Sequence, residues 1–219
     1  MLRLRGRPLV TVSYAQSLDG SIARERGRPA ALSGAESLRI THRLRGAHSA
    51  ILVGIGTVLS DDPLLTARDV ALPSPQPVVL DTTLRTPPDS RLLRENPRPP
   101  WILAAHGADP DRRRDLEARG AVVFELGRGA DGLLDPSQVL ELLARHGVPS
   151  LMVEGGARVI TSFLERSLVD RVAVTIVPQY LGGYRGLGDL AGRPGPIRLR
   201  DTRMLSAGHD YVLFGTVSE

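Results

Sequence analysis

The chain has 219 residues, 42% hydrophobic and 24% charged, ordinary proportions for one globular domain with a substantial core. It contains no Cys and all 28 of its basic residues are Arg, which excludes thiolate nucleophiles, Cys-ligated zinc, a Schiff-base lysine and a P-loop lysine. The net charge is +4, but the Arg residues are scattered and aromatic residues make up 4%, too few for base stacking, so no nucleic-acid partner is expected.

In chain order, short β-rich runs alternate with helical patterns. "LVTVSYA" (9–15) reads as the first strand. "SGAESLRITHRLRGA" follows as a helix, with Ser33 as N-cap and Glu36 three residues on in a capping box. "SAILVG" (49–54), "PVVLD" (77–81) and "WILAA" (101–105) read as strands, and Asp109-Pro110 marks the start of a second helix. "AVVFEL" (121–126) is a strand, Asp135-Pro136 opens a third helix, and "SLMVEGG" (150–156) is a strand ending in a Gly-Gly turn. A fourth helix, "GARVITSFLERSL", starts at that turn with Val159, Ile160, Phe163 and Leu164 in an apolar stripe. "RVAVTIVP" (171–178) is a strand, and "PIRLRDTRML" and "DYVLFGTV" follow with no helix between them.

This order predicts a single α/β domain spanning 1–219, with residues 1–8 a disordered start. The expected architecture is a mostly parallel central sheet flanked by helices, with an antiparallel C-terminal strand pair. No apolar run approaches the ~20 residues of a membrane span, and the Arg-rich start lacks a signal-peptide core, so a cytoplasmic protein with no membrane partner is expected.

Ligands of open α/β sheets bind beyond the carboxyl ends of the parallel strands. Three such ends carry suggestive residues. In "VEGGARVI" a strand delivers Glu154, glycines allow close backbone approach, and a helix start suits a phosphate. In "VGIGTVLSDDPLLTAR" the strand gives way to a loop carrying Thr57, Asp61, Asp62 and Arg68; Asp62-Pro63 reads as a turn. In "VVLDTTLR" Asp81, Thr82 and Arg85 follow a short strand. No metal site is expected, since adjacent carboxylates in an extended segment diverge and the five histidines show no ligand spacing.

"AQSLDGSIA", "LRGAHSAILVGIGTVLSDDPLLTAR", "PVVLDTTLR" and "LMVEGGARVITSFLERSLVDRVAVTIVPQYLGG", in this order and spacing, resemble the pyrimidine reductase of riboflavin biosynthesis, which has a dihydrofolate-reductase-like fold. The likeness runs from about Val10 to Gly183 and is carried above all by "GTVLxDDPxLTxR" with "VEGG" and "LVD". It implies NADPH-dependent reduction of a ribosylaminopyrimidine 5′-phosphate to its ribitylamino product, with hydride passing to the sugar C1′. A phosphorylated pyrimidine is then the small-molecule partner, and a homodimer the expected assembly. The deaminase often fused ahead of this reductase needs a His/Cys/Cys cluster, so a free-standing reductase is expected.

The resemblance further implies site residues. Thr57, Asp61 and Thr82 match positions lining the NADP site, and Gly156, Ala157, Arg158, Val159, Ile160, Thr161 and Ser162 match the turn and helix start that hold its phosphates. Arg45, Leu65, Arg68 and Glu154 match substrate contacts, joined by the Ser33 hydroxyl. From its charge and position after the strand, rather than from the resemblance, Arg85 is expected to favour a 2′-phosphate. No catalytic proton donor is identified; Glu154 would serve only in protonated form. Pro29 and Ala31 depart from the Ser and aromatic common in the bifunctional branch, which leaves the substrate open: the diaminopyrimidinone before deamination, the uracil after it, or another heterocyclic or carbonyl compound. A non-catalytic nucleotide-binding protein on the same fold is the alternative of a different class.

Overall fold

A computed structural model describes residues 6–28, 30–190 and 192–218; Pro29 and the first five residues of the expected disordered start lie outside the described residues. Arg7 is held by a fork of hydrogen bonds onto the Asp170 carboxylate, at 2.8 and 3.0 Å.

Among the described residues nine strands form one sheet in the order β10-β11-β8-β1-β7-β3-β4-β5-β6. They are β1 (Leu9–Ser17), β3 (Ala50–Gly54), β4 (Gln76–Leu80), β5 (Trp101–Ala105), β6 (Val122–Leu126), β7 (Ser150–Gly155), β8 (Arg171–Val177), β10 (Arg198–Ala207) and β11 (Asp210–Ser218). The run β8-β1-β7-β3-β4-β5-β6 is parallel throughout, and β11 and β10 add antiparallel at one edge. A separate antiparallel pair joins β2 (Ser21–Ala23) to β9 (Tyr184–Arg185).

Helices cover both faces, so the parallel strands read as nearly continuous apolar runs. Val10, Val12, Ala50, Leu52 and Leu151 face α5 (Pro136–Arg145) and α6 (Ala157–Glu165), burying Val139, Leu140, Leu143, Ile160 and Phe163. On the other face Ile51, Val53 and Val79 meet Val58 of α2 (Ile55–Asp61), Leu65, and Leu92 of α3 (Arg91–Arg94). Beyond them Ile102, Ala104 and Val123 meet Leu116 of α4 (Pro110–Ala118). Each buried Val, Leu, Ile or Phe among these contributes about 1.5–3 kcal/mol on burial.

Two expectations change. The helix over Ser33 to Ala47 starts later: α1 runs Ala35–Ala47, its N-cap is Gly34, and no side chain of the N-cap bonds the first turn. Asp210 of β11 substitutes for the capping box, its Oδ2 accepting from Gly34 N at 2.8 Å and Ser37 Oγ at 2.5 Å. The segment after Gly54, expected as a loop, is the helix α2. The two carboxylates at its end then separate: Asp61 is its last residue, whereas Asp62, in the left-handed region at φ 39°, accepts from Arg91 N at 2.8 Å and starts α3.

Among the described residues, no helix is long and apolar enough to cross a membrane, and no group of three His, Asp or Glu is arranged to hold a metal ion.

Candidate active site

β3 and β7 are neighbours, and each runs straight into a helix: β3 into α2 at Gly54, β7 into α6 at Gly156. Neither N-cap residue has a side-chain cap, so the first-turn N–H groups of two helices are left to face a common cleft. Close approach favours glycine at Gly54, where a Cβ would stand 2.8 Å from Val159 Cγ2 and force that side chain to shift. Thr57 Oγ1 lies 3.6 Å from where Cβ atoms of Gly155 and Gly156 would be, so the threonine hydroxyl stands against bare backbone. The Gly155–Gly156 peptide is cis.

The register between β3 and β7 steps at this point: Leu52 pairs with Val153, but Val53 pairs with Gly155. Glu154 is therefore the extra residue of a bulge, a device that re-aims a side chain at the end of a strand. Its carboxylate is met by Arg45 of α1, with Nε to Oε1 and Nη2 to Oε2 both 2.7 Å. Burial opposes the Arg45 charge, but Glu154 outweighs it and the guanidinium pKa is raised. The third arm of the fork, Nη1, donates to the Thr66 carbonyl at 3.1 Å.

The cleft these elements enclose has a volume of about 640 Å³, in the range of small-molecule sites. Of the residues expected at a ligand, it is lined by Thr57, Asp61, Glu154, Ser33, Gly156, Ala157, Arg158, Val159, Ile160 and Ser162. Ala31 and Arg85 line it too. Five expected residues lie elsewhere. Arg45 stands behind Glu154. Leu65 is 1% exposed, its side chain packed in the core and its backbone left-handed at φ 55°. Arg68 is exposed, its Nη1 3.3 Å from Thr66 Oγ1. Thr82 is half-buried and its carbonyl accepts from Ala105 N. The Thr161 hydroxyl donates to Ala157 O and accepts from Gly188 N, so it fastens a loop to α6. Asp81 is fully buried, its Oδ2 accepting from Thr86 N and Oγ1 at 2.7 Å each.

Several lining residues carry no signal in the sequence. Tyr14 stands at the wall from β1, and burial raises its phenol pKa. Arg26 and Arg28 approach after β2, and Asp131 after β6. Ile22, Ala23 and Tyr184 come from the small β2-β9 sheet, which Asp19 secures. The Asp19 carboxylate accepts from Ser21 Oγ at 2.5 Å, Leu181 N at 2.8 Å, Ser17 Oγ at 2.7 Å and Gly182 N at 3.0 Å. These hydrogen bonds, that of the Ser21 hydroxyl foremost, hold its pKa well below the usual carboxylate range. "SLDG" and "LGG", far apart in sequence, are thus one structural unit.

Four arginines (Arg26, Arg28, Arg85, Arg158) and three carboxylates (Asp61, Asp131, Glu154) line the cleft, with two uncapped helix starts. Such a site suits a ligand carrying several phosphates.

Comparison with known proteins gives the fold and the family. The model of the RibD C-terminal domain family matches residues 8–213. A 2,5-diamino-6-ribosylamino-4(3H)-pyrimidinone 5′-phosphate reductase from Methanothermobacter thermautotrophicus is 39% identical over 222 residues, covering 96% of this chain and 99% of that protein. The riboflavin biosynthesis reductase Rib7 of Saccharomyces cerevisiae superposes with a TM-score of 0.77 at 28% identity, over 97% of this chain and 90% of that one. Dihydrofolate reductase from Enterococcus faecalis, complexed with NADP(H), shares the fold alone, with a TM-score of 0.55 at 12% identity over 96% and 97% of the two chains. The fold is therefore dihydrofolate-reductase-like, and the chain belongs to the RibD C-terminal domain family.

Proposed function

We propose that this protein reduces 2,5-diamino-6-ribosylamino-4(3H)-pyrimidinone 5′-phosphate to its ribitylamino product with NADPH, as a step of riboflavin biosynthesis. The observation that carries the reading is Glu154, bulged out of β7 and fixed by Arg45, at a glycine turn where two helix starts face one cleft. The choice of the diaminopyrimidinone over the deaminated uracil is supported by the near full-length match to the Methanothermobacter thermautotrophicus reductase of that compound.

The residues present fit a nicotinamide dinucleotide. Bare glycine backbone at Gly54, Gly155 and Gly156 admits close approach, and a phosphate there would meet first-turn amides of α6. In this reading Thr57, Asp61 and Gly156 to Ser162 hold the cofactor, and Arg85 takes the 2′-phosphate. Bound there, the reduced nicotinamide supplies hydride.

The protein's own residues bind and orient the substrate. Glu154, ion-paired to Arg45, acts as an acceptor rather than a proton donor, orienting a substrate hydroxyl or N–H so that C1′ faces the cofactor side of the cleft. Arg68 does not line the cleft but stands near Arg45 and Glu154, and in this reading its exposed guanidinium reaches the substrate phosphate from beside them. The β2-β9 sheet, held by Asp19, closes the remaining wall and excludes water. A homodimer is part of the same reading, supported by exposed Met204, Leu205 and Tyr211 on the β10-β11 hairpin.

The test is steady-state oxidation of NADPH by the purified protein with each ribosylaminopyrimidine phosphate. Turnover of the diamino compound, with weak or no turnover of the uracil, is expected. Binding of NADPH without turnover of either would reject the assignment.

A further inference from the structure

The Arg45-Glu154 pair rests on a segment, Thr66 to Arg68, that a buried imidazole holds from below. His42 lies on α1 one turn before Arg45 and is 3% exposed. Its Nδ1 is 3.1 Å from the backbone nitrogen of Arg68 and 3.1 Å from the carbonyl oxygen of Thr66. One ring nitrogen cannot donate and accept at once. The Thr66 carbonyl already receives Arg45 Nη1 at 3.1 Å, whereas the Arg68 N–H finds its acceptor on the ring only when the His42 proton is on Nε2. Nδ1 then accepts from Arg68 N–H and leaves the carbonyl to Arg45.

We propose that His42 is a positioning residue that works in its neutral, Nε2-protonated form. By accepting from Arg68 N–H it fixes the Thr66–Arg68 segment, whose carbonyl orients Arg45, which in turn orients Glu154 in the cleft. The same hydrogen bond sets where the Arg68 side chain starts.

Protonation would turn the Nδ1 acceptor into a second donor. Arg68 N–H would lose its partner, because Nδ1–H would face it as a second donor and turn to the Thr66 carbonyl beside Arg45 Nη1. The charged groups facing the ring are Arg45 on α1, Arg68 on the loop and Glu154 on β7. Burial, then the two arginines, lower the imidazole pKa from its usual 6.5, against weaker opposition from the Thr66 carbonyl and Glu154. The neutral form is therefore held to lower pH than in an unperturbed histidine.

The role in substrate binding rests on the reductase reading above, so the test has one arm that needs no substrate. His42→Asn places an amide oxygen near the position of Nδ1, whereas His42→Leu keeps bulk without an acceptor. Near neutral pH, nitrogen-15 spectra should show the Nε2-protonated tautomer, and the Arg68 amide should exchange slowly. His42→Leu should speed that exchange by about tenfold or more, and His42→Asn should restore it.

With the diaminopyrimidinone substrate, His42→Leu should raise KM about tenfold at unchanged NADPH KM, and His42→Asn should stay within about threefold of wild type. On lowering the pH to about 5, substrate KM should rise more steeply for wild type than for His42→Asn; the substrate phosphate, titrating near pH 6, affects both alike. The Nδ1-protonated tautomer, or failure of Asn to restore slow exchange, would overturn the proposal even if the Leu variant does not fold. Slow Arg68 exchange in a wild type that turns over neither substrate would overturn the reductase reading, and with it the substrate half of the proposal.

Discussion

Arg45 and Glu154, 109 residues apart in sequence, meet as a two-pronged ion pair with both contacts at 2.7 Å and only 13% and 12% of the two side chains exposed. A pair this buried is strongly destabilising to break from one side, because the survivor keeps a desolvated charge. Glu154→Gln should cost about 2–4 kcal/mol and lower the melting temperature by about 5–12 °C. Replacing both, Arg45→Met with Glu154→Leu, should recover most of that stability and none of the activity. Thermal melts beside kcat/KM check both statements. Recovered activity in the double variant would show the pair to be scaffold alone.

Arg68 is assigned to the substrate phosphate. Arg68→Ala should raise substrate KM by about 10- to 100-fold, the value of charge-assisted hydrogen bonds, and leave NADPH KM within about twofold. The reverse pattern would move Arg68 to the cofactor.

The opposite split is expected for Asp61 and Arg85, which line the cleft. Asp61→Asn should weaken NADPH about tenfold with little effect on substrate KM, through loss of a charged acceptor. Arg85→Ala should bring NADPH and NADH affinities within a few-fold of each other, since the discriminating 2′-phosphate would lose its cation. Isothermal titration with each cofactor reads both effects.

The Asp19 hub predicts a specific pH dependence. Its folded pKa lies below the usual 3.8, so the carboxylate stabilises the fold fully above that value and loses its contribution as pH falls toward the folded one. Wild type should therefore be more stable than Asp19→Asn at neutral pH, with the gap closing below about pH 4. Denaturant midpoints at several pH values give the comparison. A gap that is unchanged by acid would mean that the hub does not depend on the charge.

Much of the sheet was legible because buried parallel strands are dense in Val, Ile and Leu, and because Asp109-Pro110 and Asp135-Pro136 cap helices through local contacts. Asp109 Oδ1 accepts from Asp111 N, and Asp135 Oδ1 from Ser137 N. What escaped is what tertiary contacts impose. α2 contains Gly56, Thr57 and Val58, poor helix formers, and is helical because Val58 and Ile55 anchor it to β3 and β4. Ser33 and Glu36 look like a capping box, yet the acceptor comes from Asp210, 176 residues beyond Gly34. The glycine turn and Glu154 could be singled out as a strand end bearing a carboxylate. The bulge that re-aims Glu154 depends on pairing with β3, and His42 is one unremarked histidine until the Thr66–Arg68 segment lies against it.

The most direct test of the account follows the hydride. Single turnovers with NADPH deuterated at either face of nicotinamide C4, and the diaminopyrimidinone phosphate as substrate, should give a product one mass unit heavier from one of the two cofactors only, with deuterium at C1′ of the ribityl chain. Product without deuterium from both, or label elsewhere in the molecule, would contradict direct reduction of the sugar carbon in the cleft between α2 and α6.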